Sequence, residues 1–339
     1  MSASDRRGVS PTKPPHLEGW AKFIRSQLSV EPHPAVWVDI LTRMPPLLNG
    51  DRTQATELFD QVIRNCPEVF QYAWALYFIS DTIGWFEPKE TVQGWLEILQ
   101  SNHSNFSQQA YGELLLIQYL RYQDEWSVAR IRHHLTTQDN EAILCGLAHA
   151  ASHLWFKQRC RAIATEVLYT LASSSSTSVQ KAVASIFRLS RDNFKLNGGM
   201  REIIQAVCQN QKVLLEAARD LTEIIEVEEL TDNNPKIVAE VCHSLLSIGV
   251  ELTNPARSTA LLAESLTTIA IQLHRQLLYR EVGLKIFEQL LALNLRETRS
   301  ALEVLDRRPM RQGYYIAPRK RLRKRSQSRG EELVGTKVD

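Results

Sequence analysis

The sequence predicts an all-α protein, an α-solenoid of antiparallel helical pairs. Three observations carry that expectation. Apolar residues recur at steps of three and four along almost the whole chain. No stretch alternates polar and β-branched residues for long enough to make a strand, and no Asn-Gly or Asp-Gly turn stands between two such stretches. Segments of about 10–20 residues are joined by links of a few residues, which forces neighbouring helices to lie side by side and antiparallel.

The elements follow in order. Asp51 is a good N-cap for a helix over 52–66, where Ala55, Leu58, Phe59, Val62 and Ile63 share one face. Pro67 ends it at Cys66, because proline disfavours helix in the residue before it. The same proline opens a helix through Val69, Tyr72, Ala73, Leu76, Tyr77 and Ser80. Pro88 starts another, carrying Val92, Trp95, Leu96 and Leu99. Amphipathic helices are then expected over 107–122, 125–135, 141–156, 161–172 and 178–189. The second half repeats the pattern over 201–209, 213–226, 235–252, 255–276, 280–293 and 297–306, with Pro235 and Pro255 marking two starts. Several helices, such as the one holding Ala142–Ala148, are apolar on two sides, as expected of helices sandwiched in a stack.

The 339 residues are 44% hydrophobic and 23% charged, enough apolar content for a large core and incompatible with collagen or wholesale disorder. All seven tryptophans precede residue 157, as do nineteen of the 26 aromatic residues. The Ser173–Ser178 loop and the stretch Asn193–Gly199 then bracket a seam. The expected organisation is a flexible N-terminus over 1–15, an aromatic-rich helical lobe over 16–175, a helical-repeat lobe over 176–308 and a basic disordered tail over 309–339. No apolar run approaches the ~20 residues that span a bilayer, and Met1–Arg7 lacks the apolar core of a secretory signal, so the chain reads as cytoplasmic. Five widely spaced cysteines without a Cys-x-x-Cys pair read as reduced, mostly buried thiols.

The net charge of +2 hides an asymmetry. Eleven of the 40 basic residues but three of the 38 acidic ones lie in Arg307–Asp339, which therefore carries +8 against −6 for the preceding chain. Its densest run holds Arg319, Lys320, Arg321, Arg323, Lys324 and Arg325. These six are the candidate nucleic-acid-binding residues, because such a run neutralises phosphates and releases counterions, and Tyr314 and Tyr315 add stacking surfaces. Docking on an anionic protein, or mere solubilisation, are the alternatives for the same run.

Two resemblances follow from particular stretches. Ser178–Ser190 and Pro235–Leu246, with their ladders of small residues, resemble helices of HEAT-type repeats, whereas the strict periods of tetratricopeptide and ankyrin repeats are absent. The stretch Leu273–Leu293, closing with Ala301–Pro309, resembles the C-terminal end of large bacterial STAND-type NTPases. In those proteins a helical-repeat arm follows the nucleotide-binding module and often senses foreign molecules in antiviral defence. This sequence has no Gly-Lys dipeptide and hence no Walker A loop, so the resemblance implies the arm without the motor.

Three constellations bear on chemistry. Cys145, His149 and His153 fall on one helical face, with His133, His134 or Cys160 as the nearest further donors, but three ligands strung over two turns cannot all reach one zinc ion without strain. Trp74, Trp85, Trp95 and Trp126, with Asp81 or Asp124, are the residues of a base-stacking cleft; packing is the plainer reading. Glu223, Glu226, Glu228, Glu229 and Asp232 read as a solvated acidic surface. No serine-hydrolase elbow, zinc-protease motif, dinucleotide fingerprint or EF-hand loop is present. The expectation is a non-enzymatic scaffold or recognition arm with no cofactor. Its expected partner is a protein, on the second resemblance a STAND-type NTPase or a phage component, and the alternative is nucleic acid held by the basic tail.

Overall fold

The computed structural model describes residues 17–191, 194–248, 259–293 and 298–299. Among these the chain forms seventeen α-helices and no strand. They are α1 (Leu17–Gln27), α2 (Pro34–Thr42), α3 (Pro45–Gly50), α4 (Arg52–Asn65), α5 (Ala73–Thr82), α6 (Lys89–Ser101), α7 (Asn105–Tyr122), α8 (Glu125–Thr137) and α9 (Glu141–Leu154). They continue with α10 (Arg161–Leu171), α11 (Thr177–Ser190), α12 (Gly198–Gln209), α13 (Gln211–Ile225), α14 (Glu228–Asn233), α15 (Pro235–Ser247), α16 (Thr259–Arg275) and α17 (Arg280–Ala292). The all-helical expectation holds, and the helices it placed between Asp51 and Leu293 are found within a few residues of their expected bounds, with one exception.

That exception is the segment after Pro67. The proline opens a 3-10 turn, Pro67–Gln71, and the chain then runs extended through Tyr72 before α5 begins. Val69 and Phe70 of this turn are both buried in the core. The Phe70 carbonyl is reached by the Ser107 hydroxyl of α7. Helices α1 to α3 lie in a stretch where no individual helix was placed, although Ala21, Ile24, Trp37 and Leu41 bury on their inner faces. The expected helix over 297–306 falls almost wholly outside the described residues, as do the N-terminal segment 1–15 and the tail 309–339.

The helix starts are chemically specified. Side chains of Asp51, Ser104, Asp124, Asn140, Ser176, Asn197 and Asn210 each accept a backbone N–H in the first turn of the helix they precede. Each such cap is worth ~1 kcal/mol relative to alanine. The caps fix where each helix begins, and the apolar stripe then fixes which way it faces.

Packing follows an alternating rule. From α7 onward, each helix lies against the next but one: α7 on α9, α9 on α11, α11 on α13 and α13 on α16 in one row. In the other row α8 packs on α10, α10 on α12, α12 on α15 and α15 on α17. The short α14 is an extra turn between the rows. Side-chain ties recur at a matching interval. Arg130 bonds Glu97, Arg132 bonds Glu166, Asn140 bonds Gln108, and Arg201 bonds Asn234, at separations of 33, 34, 32 and 33 residues.

The tightest junction joins α7 to α9. A Cβ on Gly112 would meet the Ile143 carbonyl, and one on Gly146 would meet the Gln109 carbonyl, so the two backbones touch where both side chains are absent. Toward the N-terminus the filling changes to rings. Phe59 stacks on Phe78 with centroids 5.3 Å apart, and Phe86 meets Trp95 edge-on at 4.9 Å.

Candidate partner-binding surface

Helix α5 reads Ala-Trp-Ala-Leu-Tyr-Phe-Ile before its first polar residue, so it is apolar nearly all round. Such a helix is either wholly buried or presents apolar surface on purpose. Here its inner face, Ala75, Leu76, Phe78 and Ile79, is buried, while Trp74 and Tyr77 stand 73% and 67% exposed. Their rings meet edge-to-face with centroids 6.4 Å apart. Tyr72, in the extended residue just before the helix, adds a third exposed ring, and Phe106 at the start of α7 a fourth.

This ridge separates two hollows. On one side a hollow of about 500 Å³ is lined by Ala35, Val38, Asp39 and Thr42 of α2 together with Tyr72 and Trp74. On the other side a cleft of about 300 Å³ runs between α5 and α7, walled by Leu76, Tyr77, Phe106, Ala110 and Leu114 and closed by Glu113 and His149. Trp74 lines the first hollow and Tyr77 the second.

The polar end of the cleft is ordered. His149 of α9 places Nδ1 3.1 Å from Glu113 Oε1, and the Gln109 side chain donates to the same oxygen at 3.2 Å. The hydrogen bond to Glu113 raises the pKa of His149 above the usual histidine value, against the opposing effect of burial. Its neighbour His153, with ring centroids 4.7 Å away, is shifted the other way, by burial first and by the charge on His149 second.

The donor set on α9 is arranged as follows. Cys145, His149 and His153 do share a face, but His149 is turned to Glu113, and no group of three or more His, Cys, Asp or Glu among the described residues is arranged to hold an ion. The five cysteines are unpaired; Cys66, Cys160 and Cys242 are buried, and Cys145 and Cys208 are half-buried. Burial pushes Cys160 and Cys242 up to about 12, so these are packing thiols and not nucleophiles.

The structure divides the residues considered for a base-stacking cleft. Trp95 is 1% exposed in the ring cluster and donates from Nε1 to Asp60, while Trp126 lies half-buried under the Arg130 guanidinium. Asp124 is buried as the cap of α8, held by the Ser127 N–H and hydroxyl. Four tryptophans that look alike in sequence are therefore divided between core and surface. The acidic group is also less solvated than expected. Glu223 pairs with Arg191 and Arg219, Glu226 accepts from Ser265, and Asp232 accepts from Gln276, tying α13 and α14 to their neighbours.

No protein-family model matches the chain, and no curated protein or solved structure matches it. The candidate site therefore stands on its own geometry. No helix among the described residues is long and apolar enough to cross a membrane. The six basic residues from Arg319 to Arg325, and the ring pair Tyr314 and Tyr315, lie outside the described residues. The exposed α5 ridge itself was missed by sequence reasoning; the signal that would have found it is the lack of a polar face on α5.

Proposed function

We propose that this chain is a non-enzymatic helical-repeat recognition arm, an α-solenoid that binds a protein partner across the ridge formed by Tyr72, Trp74, Tyr77 and Phe106. The observation that carries the reading is that ridge. Two of its rings are more than two-thirds exposed beside hollows deep enough to receive side chains. Large aromatic residues left exposed together favour association, and they are the residues that dominate binding energy at interfaces. The alternating helix packing supports the solenoid form, in which stacked pairs hold such a surface rigid.

In this reading the aromatic-rich lobe over 16–175 does the recognising and the lobe over 176–308 extends the stack. The resemblance of Leu273–Leu293 to the arms of STAND-type NTPases favours a partner of that class, or a phage component, in bacterial antiviral defence. A second reading rests on the +8 charge of Arg307–Asp339: the tail holds nucleic acid through Arg319, Lys320, Arg321, Arg323, Lys324 and Arg325.

Purification of the tagged full-length chain from its native host, with and without nuclease, separates the two. A protein partner that survives nuclease and moderate salt supports the first reading. Nucleic acid alone, released by salt and by neutralising the six tail residues, contradicts it and supports the second.

A further inference from the structure

We infer that the ridge and its two hollows receive a cationic peptide segment, with Lys or Arg side chains stacking on Trp74 and Tyr77 and pairing with the carboxylates around them. The inference rests on the recognition-arm reading and specifies the chemistry of the partner at that same surface.

The charge pattern of the surface comes first. Among the residues lining the two hollows there is no Lys or Arg; Asp39 stands at one end, and at the other Glu113 already holds His149 and Gln109 on one carboxylate oxygen. Steps of three and four along α5 put Trp74, Tyr77 and Asp81 on one face, and Asp81 is exposed beside the cleft. Carboxylates on α2, α5 and α7 thus accompany the rings, Asp39 and Glu113 in the hollow linings and Asp81 exposed on α5. Asp39 does meet Arg43 at 2.9 Å, but that pair is exposed on both sides, and such pairs are worth little and exchange partners readily.

The second observation is a contrast within the molecule. Two tryptophans carry one of the chain's own arginines over the ring: Arg130 lies 5.4 Å from the centroid of the half-buried Trp126, and Arg161 5.2 Å from that of the buried Trp155. Among the described residues no such cation lies over Trp74 or Tyr77, the two most exposed rings. A cation from outside would make the contact that the other tryptophans make internally.

The span sets the length of the occupant. Helices α2, α5, α7 and α9 pack in succession, and three interhelical steps of ~8–10 Å give a surface roughly 25–30 Å across. An extended segment of about eight residues covers that distance.

The test is a fluorescence-anisotropy titration of the full-length chain. The probe is a labelled synthetic peptide, Tyr-Tyr-Ile-Ala-Pro-Arg-Lys-Arg-Leu-Arg-Lys-Arg, with the sequence of residues 314–325. Its control has the six basic residues replaced by glutamine. The basic peptide should bind at least tenfold more tightly than the control at near-physiological salt. Trp74→Ala and Asp81→Lys should each weaken it about fivefold or more. Glu202→Lys, the same charge change on an exposed turn of α12, should alter it less than twofold.

A chain whose own six basic residues from Arg319 to Arg325 are changed to glutamine sharpens the result. Tighter peptide binding by that variant supports the inference and names the tail as a competing occupant. Equal binding of the two peptides overturns it in favour of plain apolar docking. Equal weakening by Glu202→Lys and Asp81→Lys overturns it in favour of diffuse charge attraction. Self-association lost in Trp74→Ala, without peptide binding, overturns it in favour of a second copy. If a protein partner is captured through the ridge while the basic peptide does not bind, the inference fails and the recognition-arm reading survives.

Discussion

Around α4, α5 and α6 the space between helices is filled by Phe59, Phe78, Phe86 and Trp95, whereas from α9 to α13 it is filled mainly by alanine, leucine, isoleucine and valine, with Trp155 and Phe187 as its buried rings. The two regions answer the same demand with different geometry. In the second, small residues such as Ala148, Ala151 and Gly146 let helices approach until backbones touch, and the outward positions are left to polar side chains. In the first, rings fill the core, and the further rings Tyr72, Trp74 and Tyr77 stand on the surface. The lesson is that burial is not the default fate of an aromatic residue here. The aromatic region fills the core on one face and leaves Trp74 and Tyr77 exposed on the other.

The largest expected effect lies in the ring cluster. Trp95→Ala removes a ring that touches Phe59 and Phe86 and leaves Asp60 without its indole donor. A loss of about 3–5 kcal/mol is expected in chemical denaturation, as for other buried tryptophans. A loss below ~1 kcal/mol would break the distinction between core and ridge.

The aliphatic region should fail differently, by overfilling. Gly146→Ala drives a Cβ into the Gln109 carbonyl and forces α7 and α9 apart, at a cost of about 1–3 kcal/mol. Ser185→Ala, on the half-buried face of α11, serves as the neutral reference for the same assay. If Gly146→Ala stabilised the chain, as replacing a helical glycine ordinarily does, the close crossing would be refuted.

A smaller, pH-dependent effect separates two histidines. His134 is buried against Tyr111, and neither of its ring nitrogens has a hydrogen-bond partner among the described residues. Burial lowers its pKa below the ordinary 6.5. Below about pH 6.5 the unfolded chain takes up a proton that the folded site resists, so stability falls as pH drops from 6.5 toward the folded value. His149 has the opposite sign. Its raised pKa gives a stabilisation that is complete below 6.5 and is lost as pH rises through the folded value. His134→Leu should therefore flatten the acid limb of stability against pH, and His149→Gln the limb above 6.5. An unchanged acid limb in His134→Leu would place the acid sensitivity elsewhere.

Much of the fold was legible in the sequence because its signals are local. Asp51, Pro88 and Pro235 mark helix starts through their own chemistry, and the stripe Val92, Trp95, Leu96 and Leu99 fixes the inner face of α6. The break at Tyr72 was not legible, since it depends on Val69 and Phe70 both finding the core. The crossing at Gly112 and Gly146 depends on two residues 34 apart meeting, which no local pattern encodes. The division between Trp95 and Trp74 is of the same kind, because their difference lies in which neighbouring helix covers each ring. The metal and stacking constellations misled for a related reason: shared spacing puts side chains on one face without saying what that face meets.

The central claim is that the exposed rings of α5 hold a protein partner. The most direct measurement is side-by-side capture from the native host by the tagged wild-type chain and by Trp74→Ala/Tyr77→Ala, with matched thermal melts. Both side chains are largely solvent-exposed, so the double variant should melt with the wild type, within about 0.5 kcal/mol. The account predicts a nuclease-resistant partner on the wild type that is lost from the equally stable variant. Undiminished capture of the same partner by that variant would contradict it.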